Sequence, residues 1–378
     1  MRIAITADPY LPVPPVHYGG IERVIDLLVQ GLVARGHEVT LIAHPDSQTS
    51  ASLIPYGRPP HVGWKARLGE LTDVGGALWR ARAELDVIHS FGRLAALLPV
   101  LPQRQLAKIQ SYQRDGVPWR SVRRAVRLAG LSLRFTGCSS SVYRLRSDDG
   151  ARTGDWRTVF NGVDTNRYVP RFSVAADAPL VFLGRFDPIK GAHTAIEIAR
   201  AARRRLVLAG TKITSGPDRE YFDRELAPHI DDATVRYVGP VDDAAKSDLL
   251  GRAAALLMPI QWEEPFGIVM AEAFACGTPV IAFARGSVPE VVRDGVNGFS
   301  CRTTADAAAA VARLGSIDRR AVRADCEARF GASVIVDAYE SLYREMVNEL
   351  RPATPEPDDG GRPACHAAAP RRRTPATP

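Results

Sequence analysis

The sequence predicts an α/β protein of two doubly wound, parallel-sheet halves facing each other across a cleft. Three observations predict it. Short apolar runs alternate with amphipathic segments of helical period, which is the pattern of βαβ units. The rhythm breaks once, at the polar, turn-rich stretch "VFNGVDTNRYVPRFSVAADAPL" (159–180), and then restarts. A length of 378 residues, 46% hydrophobic and 24% charged, suits two domains.

The elements follow in order. "RIAITAD" reads as a first strand, too short in apolar core for a signal peptide. "GGIERVIDLLVQGLVARG" is an amphipathic helix ended by Gly36, and "HEVTLIAH" and "LDVIHSF" are strands. Residues 45–68 read as loops. Helical "VPWRSVRRAVRLAGL" precedes a strand at "RFTGCSSS". After the break come strand "APLVFLGRF", helix "AHTAIEIARAARR", strands "RLVLAGT" and "TVRYVGPV", helix "AAKSDLLGRAA", and strand "ALLMPI". A helix in "EPFGIVMAEAFACG" leads to strand "PVIAFA" and then "VPEVVRDG". "ASVIVDAYESLYREMVNEL" is a closing helix. The expected organisation is residues 1–170 as one Rossmann-like domain, 171–330 as a second, and 331–350 as a helix crossing back to the first. The tail 351–378 holds seven of the 28 prolines and little that can form a core, so it is expected to be disordered.

Charge and cysteines exclude several classes. A formal charge of +7 favours anionic ligands but, without interleaved aromatics or a compact basic motif, does not indicate a nucleic-acid binder. The five cysteines are scattered, with no CxxC pair, so neither a disulfide framework nor a zinc site is expected, and a reducing cytoplasm fits best. No stretch reaches the roughly 18–20 continuous apolar residues of a membrane helix. Trp119, Arg120, Arg123, Arg124 and Arg127 share a helical spacing; such a face can meet a membrane surface or an anionic acceptor, but is commonly just solvated.

The chemistry gathers in "WEEPFGIVMAEAFACGTP" (262–279). Pro265 suits the first turn of a helix, where its missing N–H is not needed. The free amides of Phe266, Gly267 and Ile268 would then face a ligand with the positive end of the helix dipole, an anion site. Glu264 and Glu272 would lie ~12 Å apart along that helix, a span that places one beside a sugar and the other beside a ribose. Arg185 and Lys190, in the turn after a strand, supply cations for a diphosphate. Gly19 and Gly20 open the first helix, where their amides can bind a phosphate or sugar. His89 stands at the carboxyl end of a strand, where open α/β sheets place ligands, although a lone histidine is more often structural.

These residues carry a resemblance. "EPFGIVMAEAFACGTPVIA" closely resembles the signature of the family 4 glycosyltransferases, retaining enzymes of the GT-B fold. "GRFDPIKG", the linker "FNGVD" with Asn161 and Asp164, "YGGIERVIDLLVQGLVARGHEVTLIA" and "DVIHS" are similar to further landmarks of that family, in order, over about residues 1–348. The N-terminal pattern looks most like a branch that includes enzymes of antibiotic oligosaccharide assembly. The resemblance implies a nucleotide-diphosphate sugar as co-substrate, bound on the second domain, and a saccharide, lipid-linked or natural-product acceptor on the first. It implies Arg185 and Lys190 on the pyrophosphate, Glu264 and His89 at the reacting sugar, and Glu272 on the ribose. Gly19, Gly20, Asn161 and the 266–268 amides line the donor site. No cofactor and no metal are expected, and the chain holds no Asp-x-Asp triplet. One departure is Phe91, which stands where many relatives carry a second histidine. A nucleotide-sugar 2-epimerase and a non-catalytic nucleotide-sugar binder share this architecture and are the rival readings.

Overall fold

The computed structural model describes residues 1–15, 19–57, 63–144, 153–212 and 217–351. The tail from 352 onward lies outside the described residues. In the first half the strands are β1 (Arg2–Thr6), β2 (Glu38–Ala43), β3 (Ser52–Pro55), β4 (Val87–Ser90), β5 (Ala107–Tyr112), β6 (Leu133–Gly137) and β7 (Asp155–Thr158). Between them run helices α1 (Gly20–Ala34), α2 (Trp64–Ala81) and α3 (Trp119–Ala129). The strands pair in parallel in the order β3-β2-β1-β4-β5-β6-β7.

The second half holds β8 (Leu180–Leu183), α4 (Ala192–Ala201), β9 (Leu206–Ala209), α5 (Pro217–Tyr221), β10 (Val235–Tyr237), α6 (Asp243–Arg252), β11 (Ala255–Met258) and α7 (Ile268–Ala275). Then come β12 (Val280–Phe283), α8 (Val288–Val291), β13 (Gly298–Cys301), α9 (Thr304–Ala312), α10 (Arg319–Phe330) and α11 (Ala332–Leu350). Its parallel sheet has the order β10-β9-β8-β11-β12-β13. Both halves are thus doubly wound. The chain order reverses between β1 and β4 in one sheet and between β8 and β11 in the other. Loops at the carboxyl ends of those strand pairs part to opposite faces and leave a crevice, where such folds bind ligands.

Several elements escape the sequence pattern. β5 reads "AKIQSY", and its Lys108 and Gln110 interrupt the apolar run, yet both are fully buried. Lys108 Nζ donates to the Gln103 and Leu106 carbonyls, the latter at 2.8 Å, which makes its burial tolerable. β3 and α2 fall in or beside the stretch expected to be loop. α2 exposes Trp64, Leu68 and Trp79 among Lys65, Arg67, Thr72, Asp73 and Arg80, so apolar residues interrupt the polar face that would mark it as an amphipathic helix.

α11 does not stay with the second half. Ile335, Val336, Tyr339, Leu342, Tyr343 and Met346 join Ile25, Leu28, Val29 and Leu41 in the core of the first. Arg134 on β6 anchors it by bonds to Glu345 (2.8 Å) and Glu349 (2.6 Å). The linker between halves belongs to neither sheet: Val163 pairs with Gly331, and Tyr168 packs into the second core.

Candidate active site

The segment 259–268 leaves β11 at the second switch point and reaches α7 only at Ile268. The expected helix start at Pro265 is therefore corrected by three residues. Gly267 adopts φ 71°, the left-handed region that favours glycine, and a Cβ there would crowd Met258 Cε at 2.5 Å. The carbonyls of residues 264–266 are also taken by other segments. Ser287 N–H donates to Glu264 O (2.8 Å), Ser139 Oγ to Pro265 O (2.5 Å) and Ser287 Oγ to Phe266 O (3.0 Å). These bonds replace the intrahelical ones a longer helix would make. Phe266 itself is buried against Phe160 and Phe330, with ring centroids 6.1 and 5.7 Å away. Glu272 therefore sits one helical turn, about 6 Å, beyond the tip of α7.

Glu264 is buried and doubly held. Lys190 Nζ stands 2.6 Å from its Oε2, and Trp262 Nε1 donates to the same oxygen at 2.8 Å. The ammonium also lies over the Trp262 ring, 4.9 Å from its centroid. Lys190 reaches this position because the turn after β8 packs hard against the end of β11. Gln261 N–H donates to Ile189 O at 2.8 Å, and at Gly191 (φ 77°) a Cβ would meet Pro259 O at 2.0 Å. Arg185, in the same turn, is about half exposed and paired with Asp187 at 2.9 Å.

Glu272 has a different cation. Lys246 Nζ on α6 lies 2.5 Å from its Oε1, and Tyr168 OH donates to that oxygen at 2.9 Å. Lys246 also contacts Asp243 (3.2 Å), which pairs with Arg23 of α1 at 2.7 Å, so the chain of charges spans both halves. The two glutamates are each buried with a lysine of their own, and among the described residues no hydrogen bond or ion pair joins one pair to the other. Sequence reading missed Lys246, Tyr168 and Trp262. Lys246 had one available signal, a basic residue on the inward face of an expected helix.

The first half meets this site at two points. Gly19 (φ 156°) caps α1, and a Cβ on Gly20 would lie 3.6 Å from Ile268 Cγ2, so the Gly-Gly turn abuts the tip of α7. The turn after β6 docks on the second half: besides the Ser139 bond to Pro265 O, the Glu290 carboxylate of α8 accepts from Ser140 N (2.9 Å), Ser140 Oγ (2.9 Å) and Ser141 N (3.2 Å). In the linker, Asn161 is buried with its Oδ1 unpartnered, and Asp164 accepts from Asn166 N at 3.1 Å.

His89 corrects an expectation. Its ring has no exposed surface; Nδ1 meets Tyr343 OH and Nε2 meets Ser111 Oγ, both at 2.6 Å. Phe91 and Tyr339 pack on it at 4.2 and 4.7 Å. Burial pushes its pKa down to about 3, so the ring is neutral and structural, held beneath α11 rather than aimed into the cleft.

Family models match both halves. The Glycosyltransferase Family 4 model covers residues 18–167, and the model for Glycosyl transferases group 1 covers residues 174–326. The chain belongs to the family 4 glycosyltransferases. Glycogen synthase of Mycobacterium tuberculosis is 27% identical over 363 residues, 82% of this chain and 85% of that one. AviGT4, a glycosyltransferase involved in avilamycin A biosynthesis, superposes with a TM-score of 0.67 at 26% identity, covering 92% of this chain and 98% of its own. HepE of Anabaena, in complex with UDP-glucose, shares the fold (TM-score 0.67, 19% identity, 91% and 100% coverage). The architecture of this glycosyltransferase is GT-B. Among its described residues no helix is long and apolar enough to cross a membrane.

Proposed function

We propose that this glycosyltransferase moves a sugar from a nucleotide-diphosphate donor, bound on the second domain, to an acceptor hydroxyl presented by the first, with retention of anomeric configuration and without a metal. The observation that carries this is the Lys190–Glu264–Trp262 cluster at the second switch point, beside the tip of α7. A diphosphate against Lys190 and a hydroxylated ring against Glu264 exchange one ion pair for two charge-assisted contacts. The bound UDP-glucose of HepE supports the donor class.

As the glycosidic C–O bond breaks, the diphosphate takes the bonding electron pair and its charge grows. Lys190, Arg185 and the amides that open α7 can offset that charge, the role for which a metal is otherwise used. Glu264 orients the ring as it flattens toward an oxocarbenium ion. The departing phosphate oxygen lies on the face from which the ring is left, and it can accept the acceptor's proton while the hydroxyl attacks from that same face. Glu272 is the acid for the ribose hydroxyls, and Lys246 is the cation paired with it in its buried position.

The test begins with thermal shifts against UDP-, GDP-, ADP- and dTDP-sugars, since a ligand of the native state raises its apparent stability. The stabilising donor is then followed for nucleotide release with and without chelator, and the anomer of the product read by NMR. Lys190→Ala and Glu264→Ala are expected to lower kcat at least 100-fold with the fold intact. Wild-type turnover by purified Lys190→Ala sinks the diphosphate assignment; an inverted anomer sinks retention. Epimer formation from donor alone would favour an isomerase instead.

A further inference from the structure

The formal charge of the chain is concentrated in one stretch. Residues 63–131 hold twelve lysines and arginines against five aspartates and glutamates, an excess of +7 that equals the charge of the whole chain. That stretch builds one face of the first domain. α2, the short helical segment Leu94–Val100 and α3 pack on the side of the sheet opposite α1 and α11, over a core that includes Val74, Leu97 and Val122.

The same face exposes apolar side chains. Among the described residues eleven large apolar side chains stand exposed, and six lie here: Trp64, Leu68 and Trp79 on α2, Leu98, Leu128 on α3 and Leu131 just past it. The other five are scattered over the linker and the second domain. Single exposed apolar residues are ordinary, but a cluster marks an interaction surface. Helical spacing places Trp64, Leu68 and Trp79 within about 60° of one another, on one flank of α2. Gly75 shares that flank and abuts the next segment, since a Cβ there would stand 3.1 Å from Pro99 Cγ. Leu98 and Leu128 line a common cavity, and Arg104 Nε lies 4.0 Å from a Cβ placed on Gly130. The three elements thus present one continuous surface.

Cations stand between the apolar groups. Arg120, Arg124 and Arg127 share the outer side of α3, again within about 60°. With Arg67 and Arg104 they are exposed and make no ion pair among the described residues. The Arg82 guanidinium lies 3.7 Å from the centroid of the Trp79 ring, and Lys65 Nζ lies 5.7 Å from that of Trp64.

We propose that this face docks on an anionic lipid bilayer, with its tryptophans and leucines entering the headgroup boundary and its arginines meeting the lipid phosphates. Surface-bound elements combine these features: apolar side chains to bury, tryptophan at the interface, and cations for acidic lipids. Charge disfavours a second copy of the chain, which would set one basic face against another. An acidic protein partner would call for pockets that enclose its anchor residues, whereas these apolar groups protrude singly among arginines. The inference does not depend on the transfer reaction, and none of these residues belongs to the Lys190–Glu264 cluster.

Vesicle flotation of the whole chain tests it, with phosphatidylcholine alone and with phosphatidylcholine containing phosphatidylglycerol. The wild-type chain is expected to bind the anionic vesicles at least about tenfold more tightly than the neutral ones, with a blue shift of its tryptophan emission. Arg120→Glu/Arg127→Glu and Trp64→Ser/Leu131→Ser should each lower that binding by about tenfold or more. Arg236→Glu/Arg302→Glu makes the same change of charge at exposed positions of the second domain and should leave binding near wild type. Trp64→Phe/Trp79→Phe should still float but lose the blue shift. Absence of any preference for anionic vesicles, an equal loss in the second-domain control, or a blue shift that survives in Trp64→Phe/Trp79→Phe overturns the proposal. So does a concentration-dependent dimer that Trp64→Ser/Leu131→Ser abolishes, which would give the face to a second copy. All the substituted positions are exposed, so melting temperatures should match wild type. The lipid preference and blue shift of the unmodified chain decide the matter even where a variant unfolds.

Discussion

At the scale of single residues, Glu264 shows how much a carboxylate's surroundings decide. One oxygen receives both an ammonium and an indole N–H, so its orientation is set before any sugar arrives. A hydrogen bond to a charged group is worth about 1.5–3 kcal/mol. Trp262→Phe, which keeps the ring beneath Lys190 but deletes the donor, is therefore expected to lower kcat roughly 10- to 100-fold while changing KM little. Unaltered kcat would show that Lys190 alone orients the acid. Lys246→Met leaves Glu272 buried beside only a tyrosine; breaking a buried pair in this way costs about 3–5 kcal/mol, readable by urea unfolding. A loss under 1 kcal/mol would mean that Glu272 is solvated on demand. His89 predicts a pH effect. Its folded pKa, about 3, lies below the ordinary 6.5, so on acidification the unfolded chain takes up a proton that the folded chain refuses. Its contribution to stability is complete above pH 6.5 and is lost as pH falls toward 3, by up to about 1.4 kcal/mol per pH unit. His89→Gln should flatten that slope between pH 6.5 and 5; an unchanged slope would assign the acid sensitivity elsewhere.

At the scale of elements, the strands most legible in the sequence were those dominated by apolar side chains: β8, β11 and β12 are short apolar runs throughout, and β1 and β2 carry polar residues only at an end or at one inner position. β5 was hidden because a buried lysine is satisfied by two carbonyls of the preceding loop, which no local pattern announces. The start of α7 was misplaced for a related reason. Pro265 is a good first helical residue, but Ser139 and Ser287, far away in sequence, claim the carbonyls that a helix would need. The signature glutamates were readable from their spacing, whereas their lysine partners were separable from ordinary surface charge only where a motif marked them: Lys190 was, Lys246 was not. Gly191→Ala tests the packing that aims Lys190. Its Cβ would collide with the Pro259 carbonyl, a backbone atom that cannot swing aside. The variant is expected to lose activity with Lys190 still present; wild-type kcat would show that the turn has room to shift.

At the scale of the whole molecule, the halves are joined by more than their linker. Glu290 takes three donors from the turn after β6, and Arg23 pairs with Asp243 across the cleft. None of this was legible beforehand, since the partners stand 150 and 220 positions apart. Glu290→Ala strips those donors of their acceptor and should loosen the two domains, visible as a larger radius of gyration in solution scattering and a raised KM for the acceptor. An unchanged radius would assign the grip to Ser139 and Arg23.

The return of α11 to the first domain has a consequence for biosynthesis. Tyr339 and Tyr343 seal His89 and Ser111, and the flank of α1 rests on Ile335 and Val336, so the first domain lacks its lid until the whole of the second domain has been synthesised after it. A fragment ending near residue 170 should emerge with a greasy flank, bind chaperones or precipitate, and recover solubility when a separately produced 332–350 peptide is supplied.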